Sequence, residues 1–481
     1  MKYIFLAALL SLPTAFAAAD VPNRNLSLKT SLRGLCERSA TFQKAVIRRL
    51  YVKKCEEVTA ARIGALKVLR LNPGPGIDVS QLASDDFEGF ESLTILEIDN
   101  NGDGRITPEL LQGMPSLKEL TLNNFPGMTE FPEGLFRNLP ELEEVTLYNF
   151  IGVRSIASGF LEGPLSLREF QMNGLPLVNA LPAGLFQSQP SLERIDISDS
   201  GLPRFQSDLL RNLAKLTTVR LYIGNFTPKP VPMSPTELPL DIFRDLPSLA
   251  NISLVNLVIR PGTFAGSDSV RSLNLSASKI VPGSLAGLRQ LQTLDFWGGS
   301  LEAGYFQGVE NLQSLSIVHS KLGDLPPRVF AELGSLKTLS FLIAGITSFS
   351  NGEALAGLRG LESFEILGNK TGVQLLTPGM FEHSPGLRKI KIRESGLTVL
   401  PVGAFRGMPE LKLLDLVGHK FTNVDPQAFS PMNLVRSTMV YFDGKAPDRD
   451  TQEQILALHG NRIAFDCGEF TLFRGWQYCP L

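Results

Sequence analysis

At 481 residues the chain exceeds the usual size of one compact core, so it must be either several domains or one elongated array. Its 46 lysines and arginines against 48 acids leave no global field to draw in nucleic acid or an anionic membrane. No H-E-x-x-H, G-x-S-x-G or P-loop pattern accompanies the histidines His319, His383, His419 and His459, so catalysis has no address and each histidine is expected in a surface or turn role.

Taken in chain order, residues 1–19 read as a secretory signal. Lys2 supplies the positive start, Ile4 to Leu12 the apolar run, and Ala15-Phe16-Ala17 or Ala17-Ala18-Ala19 the small residues of a cleavage site. That run is too short to span a bilayer, and no later stretch reaches the roughly 20 apolar residues a membrane helix needs. The product is therefore expected to be secreted, extracellular or held in the periplasm or at the cell surface, without a transmembrane segment and as a monomer. Residues 20–68 show helical spacing between Cys36 and Cys55 and are expected to form a cap.

From residue 69 to about 435 a comb of apolar anchors runs through Phe87, Leu111, Phe136, Phe160, Phe186, Leu210, Phe243, Phe264, Leu285, Phe306, Phe330, Leu355, Phe381, Phe405 and Phe429. Nearly every anchor precedes one apolar frame, as in Leu117-x-x-Leu120-x-Leu122 and Leu411-x-x-Leu414-x-Leu416, whose closing L-x-L alternates like a strand with one buried face. Proline and glycine pieces such as Phe131-Pro132-Glu133-Gly134 end each strand. A single unit of about 24 residues cannot bury its own apolar stripe, whereas stacked units share one core.

Spacing and frame resemble the leucine-rich-repeat family, with about 14 consecutive units. The resemblance implies an α/β fold: a right-handed solenoid, or horseshoe, with a parallel sheet on its concave face and capped ends. Residues 35–68 are similar to the cysteine-bearing helical N-terminal segment of many exported bacterial members of that family. The family's asparagine after the strand stands here only at Asn101 and Asn369; Phe125, Phe150, Ser200, Ser278, Ser320 and Ser395 replace it elsewhere.

The four cysteines form two close pairs at the two ends of this array. Since a long array holds its ends apart, local pairing of Cys36 with Cys55 and of Cys467 with Cys479 is the practical connectivity. Residues 436–481, with Phe465, Phe470, Phe473 and Trp476 around the second pair, read as a C-terminal lid.

Two features bear on ligands. The first is Asp99-Asn100-Asn101-Gly102-Asp103-Gly104, where Asp99, Asn101 and Asp103 stand like positions 1, 3 and 5 of a calcium loop of the EF-hand kind; position 12 is Leu110, with Glu109 one residue early. Calcium is the one cofactor suggested, and the alternative is a polar turn in which Asn101 is the repeat asparagine. The second is the row of residues that follows each L-x-L frame and faces the concave surface.

That row begins polar, with Tyr148 and Tyr222 among its members and acids around it. It then runs through Trp297, Val318, Leu342 and Leu367, four successive apolar residues on solvent-facing sites, with Arg388, Lys389, Lys391 and Arg393 as a basic patch beyond. At about 4.8 Å per strand this stripe is roughly 15 Å long and has the composition of a protein-binding hot spot. The expected function is non-catalytic recognition of a protein or glycan, with a structural or adhesive calcium-assisted surface protein as the alternative. The proline-rich insertion Asn225 to Pro239 offers a rim loop that could contact a ligand or be a tolerated insertion.

Overall fold

A computed structural model describes residues 34–71, 78–100, 102–224, 236–369, 376–430, 438–442, 448–459 and 463–466. The expected signal segment, Asn101, most of the insertion after Gly224, and Cys467, Cys479 and the aromatic residues between them lie outside the described residues.

Extended chain is the only conformation that puts alternate residues on one face, and each L-x-L frame forms a strand accordingly. The strands are β1 (Val68–Leu71), β2 (Ile95–Asp99), β3 (Glu119–Asn123), β4 (Glu144–Tyr148), β5 (Glu169–Leu175), β6 (Arg194–Ser200), β7 (Thr218–Ile223), β8 (Asn251–Val255) and β9 (Ser272–Ser276). They continue as β10 (Thr293–Trp297), β11 (Ser314–Val318), β12 (Thr338–Leu342), β13 (Ser363–Leu367), β14 (Lys389–Arg393), β15 (Leu413–Asp415), β16 (Thr438–Tyr441) and β17 (Ile463–Asp466). Each pairs in parallel with the next along the chain, giving one 17-stranded sheet among the described residues. The frame residues stay level, so Leu96, Leu120, Val145, Phe170 and Ile195 form one buried row. The sheet thus runs past residue 435 by two strands.

Behind the sheet the anchors stack into a second row. Phe136, Phe160, Phe186, Phe264, Phe330, Phe381 and Phe405 are fully buried, and neighbours such as Phe136 and Phe160 meet at 5.3 Å between ring centroids. The back of each unit is made of turns, short 3-10 segments and two-residue strand pairs such as Glu130–Phe131 with Ser155–Ile156. Among the described residues α-helix is confined to the ends, in α1 (Ala40–Leu50), α2 (Ala60–Gly64) and α3 (Arg449–His459). Proline or glycine in each short return segment leaves no room for a stable helical run. At the N-terminal end Cys36 and Cys55 are joined by a disulfide, as the local pairing required.

The missing asparagines are replaced in two ways. At Asn369 the ladder residue behaves as its type suggests: its amide accepts from the Ile346 N–H at 2.9 Å and donates to the Ile346 carbonyl at 2.8 Å. Ser278, Ser320 and Ser395 substitute a hydroxyl, each donating to a carbonyl two residues back. Where the ladder residue is apolar, the polar duty moves one position earlier. Asn124 before Phe125 donates to the Asn100 carbonyl at 2.8 Å, and Asn256 before Leu257 donates to the Ile223 carbonyl at 2.9 Å. In the first unit buried Asn100 accepts from the Val79 N–H at 3.1 Å.

His419 corrects the expectation of a surface or turn histidine, because it is a buried ladder residue. Its Nδ1 accepts from the Leu397 N–H at 3.3 Å while Nε2 faces the Ile392 carbonyl at 2.7 Å, which places the proton on Nε2. An asparagine at this ladder position can accept the same N–H and donate to a nearby carbonyl, as Asn369 does with Ile346, so His419→Asn should leave the urea unfolding free energy within about 0.5 kcal/mol of the parent. His419→Leu strands both groups and should cost about 1 to 3 kcal/mol. A large loss in His419→Asn would instead assign the ring's role to packing on Phe421, 5.4 Å away.

Candidate binding surface

The sheet face turned away from the core carries three residues per strand, and its character changes along the array. Over β1 to β7 it is charged and zipped by ion pairs between neighbouring strands: Arg70 with Glu97, Lys118 with Glu143, Arg168 with Glu193, Arg194 with Glu169 and Arg220 with Asp196. These pairs are exposed, so each contributes little to stability and mostly sets the pattern of charge. Glu119, Glu144 and Glu169 stand in register on β3, β4 and β5. Partial burial, followed by the fields of Glu169, Glu119 and Glu143, raises the Glu144 carboxyl above its ordinary range.

From β8 to β12 the two rows nearer the strand starts are short and polar, with Ser253, Asn274, Asp295, Ser316 and Ser340 along the middle. Asp295 is raised above its ordinary range by burial. The third row, at the strand ends, holds Trp297, Val318, Leu342 and Leu367 in register on β10 to β13. Trp297 is 40% exposed, and Leu342 and Leu367 are half-buried. Val318 departs from its expected solvent-facing site, being only 8% exposed. It lies between Trp297 and Leu342 on the same row, and neighbours of that size close over a valine.

On most strands the residue after this row lies in the left-handed region. Asn124, Asn149, Asn256, Ala277, Gly298, His319, Ile343, Gly368 and Glu394 all have positive φ, while their N–H groups still bond the next strand, as His319 does to the Leu342 carbonyl at 2.9 Å; Gly174 and Gly418 share the positive φ. Asparagine and glycine take this conformation readily, whereas for a β-branched residue it is strained. Ile343 has φ 53° and is 51% exposed. His319, at φ 46°, lies against the Trp297 indole with ring centroids 5.7 Å apart and planes 26° apart. Together the two rows border an open groove of about 750 Å³ floored by Asp295 and Ser316 and ending at Arg393. The left-handed row is the part of the site that the sequence pattern did not announce; the recurrence of Asn or Gly there was its signal.

The family profile described as Leucine rich repeat matches residues 385–437. Among solved structures, Toll in the Drosophila Toll–Spatzle complex shares the fold, with a TM-score of 0.56 at 18% identity over 76% of this chain. The chain has the leucine-rich-repeat fold. The glycosylated form of that complex gives 0.55 at 16% identity over 81% of the chain. The leucine-rich-repeat chain spans about half of the length of Toll, covering 52% and 56% of it in the two forms. A leucine-rich-repeat protein of Leptospira interrogans aligns over 85% of this chain and 91% of its own, at 16% identity and a TM-score of 0.44. No curated protein matches the chain by sequence.

On this leucine-rich-repeat frame Arg393 ends the ridge groove, while the two expected tyrosines lie away from the ridge, lining a smaller cleft of their own. Tyr148 and Tyr222 sit at the ends of β4 and β7, on the charged half of the sheet. The basic patch is largely compensated: Arg388 pairs with Glu362, Lys389 with Glu365 and Arg393 with Asp415, which leaves Lys391 as the member of the patch with no ion pair among the described residues. The compensating acids stand on neighbouring coils, 22 to 26 residues away, so the run of basic residues along one strand does not show them.

In the calcium-like loop Asp99 faces the open sheet and accepts from the Asn123 amide at 3.2 Å, while Asp103 is exposed in the turn that follows. Glu109 is drawn to Arg137 and held below its ordinary range, first by a backbone hydrogen bond and then by the Thr107 hydroxyl and Arg137. Among the described residues the one group of side chains close enough to hold a metal is Cys36, Cys55 and Glu56, and its two sulfurs are spent in the disulfide. His383 is exposed and stands apart from the ridge.

Proposed function

We propose that this protein is an exported, non-catalytic binding protein that holds a protein partner on the concave face of its sheet, anchored by Trp297, Leu342, Ile343 and Leu367. The observation that carries the reading is an apolar ridge on an otherwise polar sheet, kept in part by a strained backbone at Ile343. Left-handed β-branched residues cost free energy, and such outliers gather at functional sites. A tryptophan flanked by aliphatic side chains is the composition of an interface hot spot. Toll, which shares the fold, is seen in complex with Spatzle. Export is supported by the signal-like N-terminus and by the Cys36–Cys55 bond, which persists in oxidising compartments. No helix among the described residues is long and apolar enough to cross a membrane.

The experiment places a photoreactive amino acid at Ser340, on the groove side of the ridge, and identifies the protein cross-linked to the purified chain on intact cells. Its affinity is then measured with Trp297→Ala. The expected loss is about 2 to 4 kcal/mol, or roughly 30- to 1,000-fold in Kd. Unchanged affinity in a variant with the parental melting temperature would remove the ridge from the interface.

A further inference from the structure

A second cleft opens on the same sheet about three strands before the ridge, roughly 14 Å from Trp297 along the sheet. Its two walls are tyrosines, Tyr148 on β4 and Tyr222 on β7, themselves three strand steps apart. The floor between them is built from planar polar side chains: Gln171, Asn173, Asp196 and Arg220. Its volume is about 320 Å³, at the small end of the range for small-molecule sites, roughly 300 to 1,000 Å³.

Three local features keep this cleft open. The Tyr148 hydroxyl donates to Gln171 Oε1 at 3.3 Å, which fixes the ring against the cleft floor. On the other side Gly224 leaves room for the Tyr222 ring, since a Cβ there would stand 2.8 Å from its Cε2. Between the walls β6 carries one residue more than β7, with the register shifting between Ile197 and Ser200. Bulges of this kind bend a strand locally and redirect its side chains.

We propose that this cleft binds a pyranose unit of a neutral glycan. A pyranose has a C–H face and a rim of vicinal hydroxyls. The C–H face suits the negative face of a tyrosine ring, and the hydroxyl pairs suit carboxamide, carboxylate and guanidinium groups, which present two donors or acceptors in one plane. The preference for a neutral sugar follows from charge. Arg220, the floor's cation, is neutralised by Asp196 at 3.2 Å, and the next acids along the sheet are Glu169, Glu144 and Glu119. An anionic sugar would meet a negative field with no free cation to receive it. The cleft shares no residue with the ridge, so this proposal stands independently of the protein-binding one.

The test is saturation-transfer NMR on the full chain with neutral tetrasaccharides of gluco, manno, galacto and N-acetylgluco type in α and β linkage, with 3′-sialyllactose as the anionic probe. Transfer to at least one neutral tetrasaccharide is expected. Its affinity should fall at least tenfold in Tyr148→Ala and in Asp196→Asn, and be unchanged in Trp297→Ala, with all three variants melting like the parent. The proposal is overturned if no neutral tetrasaccharide receives saturation, if binding survives both cleft substitutions, or if 3′-sialyllactose binds as tightly. Loss of sugar binding in Trp297→Ala would also overturn it, by moving the sugar to the ridge.

Discussion

Replacing Phe150 by alanine is expected to lower the unfolding free energy by about 3 to 5 kcal/mol, measured by urea denaturation. Phe150 is fully buried at a ladder position, stacked on Phe125 at 5.2 Å between centroids with planes 9° apart, and meets Phe131 edge-on at 5.0 Å. The loss adds the transfer free energy of the ring to the cavity it leaves, and rigid turns on both sides cannot close that cavity. Because coils support only their neighbours, protection against hydrogen exchange should drop first in β3 to β5 and least near β14. A loss below about 1 kcal/mol would mean that the coils slide together and fill the space.

The second large effect is expected at the N-terminal cap. Arg38 is 5% exposed and donates to the carbonyls of Asp85, Asp86 and Glu88, while its guanidinium lies 5.9 Å from the Phe42 ring centroid and 5.2 Å from that of Phe90. Beside it the Asp86 carboxylate, also buried, accepts from the Ser39 N–H at 2.8 Å and the Ala83 N–H at 2.9 Å. Arg38 from the cap and Asp86 from the first unit therefore tie the two together.

Arg38→Met keeps the length and apolar contact of the stem but leaves three carbonyls without their donor. It should cost about 3 to 5 kcal/mol at this junction. The expected signature is an early transition in which residues 85–96 lose exchange protection while the later coils stay folded. A single transition coinciding with that of the parent would show that the cap is held by its apolar contacts alone.

Neither effect is written in the repeat pattern itself. The comb of anchors and the alternation of each frame were enough to read off strands, their parallel stacking and the buried rows, since a period of two and a pitch near 24 residues leave one way to bury the apolar side chains. The local disulfide between Cys36 and Cys55 was legible for the same reason, because an elongated array keeps its two ends apart. The face each frame residue presents was also legible, and Trp297, Leu342 and Leu367 lie where alternation put them.

What happens between coils was not legible. Val318 has the pattern of an exposed residue and is covered by neighbours that are distant in sequence. Arg388, Lys389 and Arg393 read as a basic run, yet each meets an acid 22 to 26 residues away. His419 looked like a turn residue until the Leu397 and Ile392 backbone groups stood beside it. The sequence by itself determined periodicity, and with it the architecture, because hydrophobic burial depends only on which positions along one coil are apolar. Exposure, charge compensation and the satisfaction of backbone groups were decided by the tertiary structure, because each depends on atoms one full coil away.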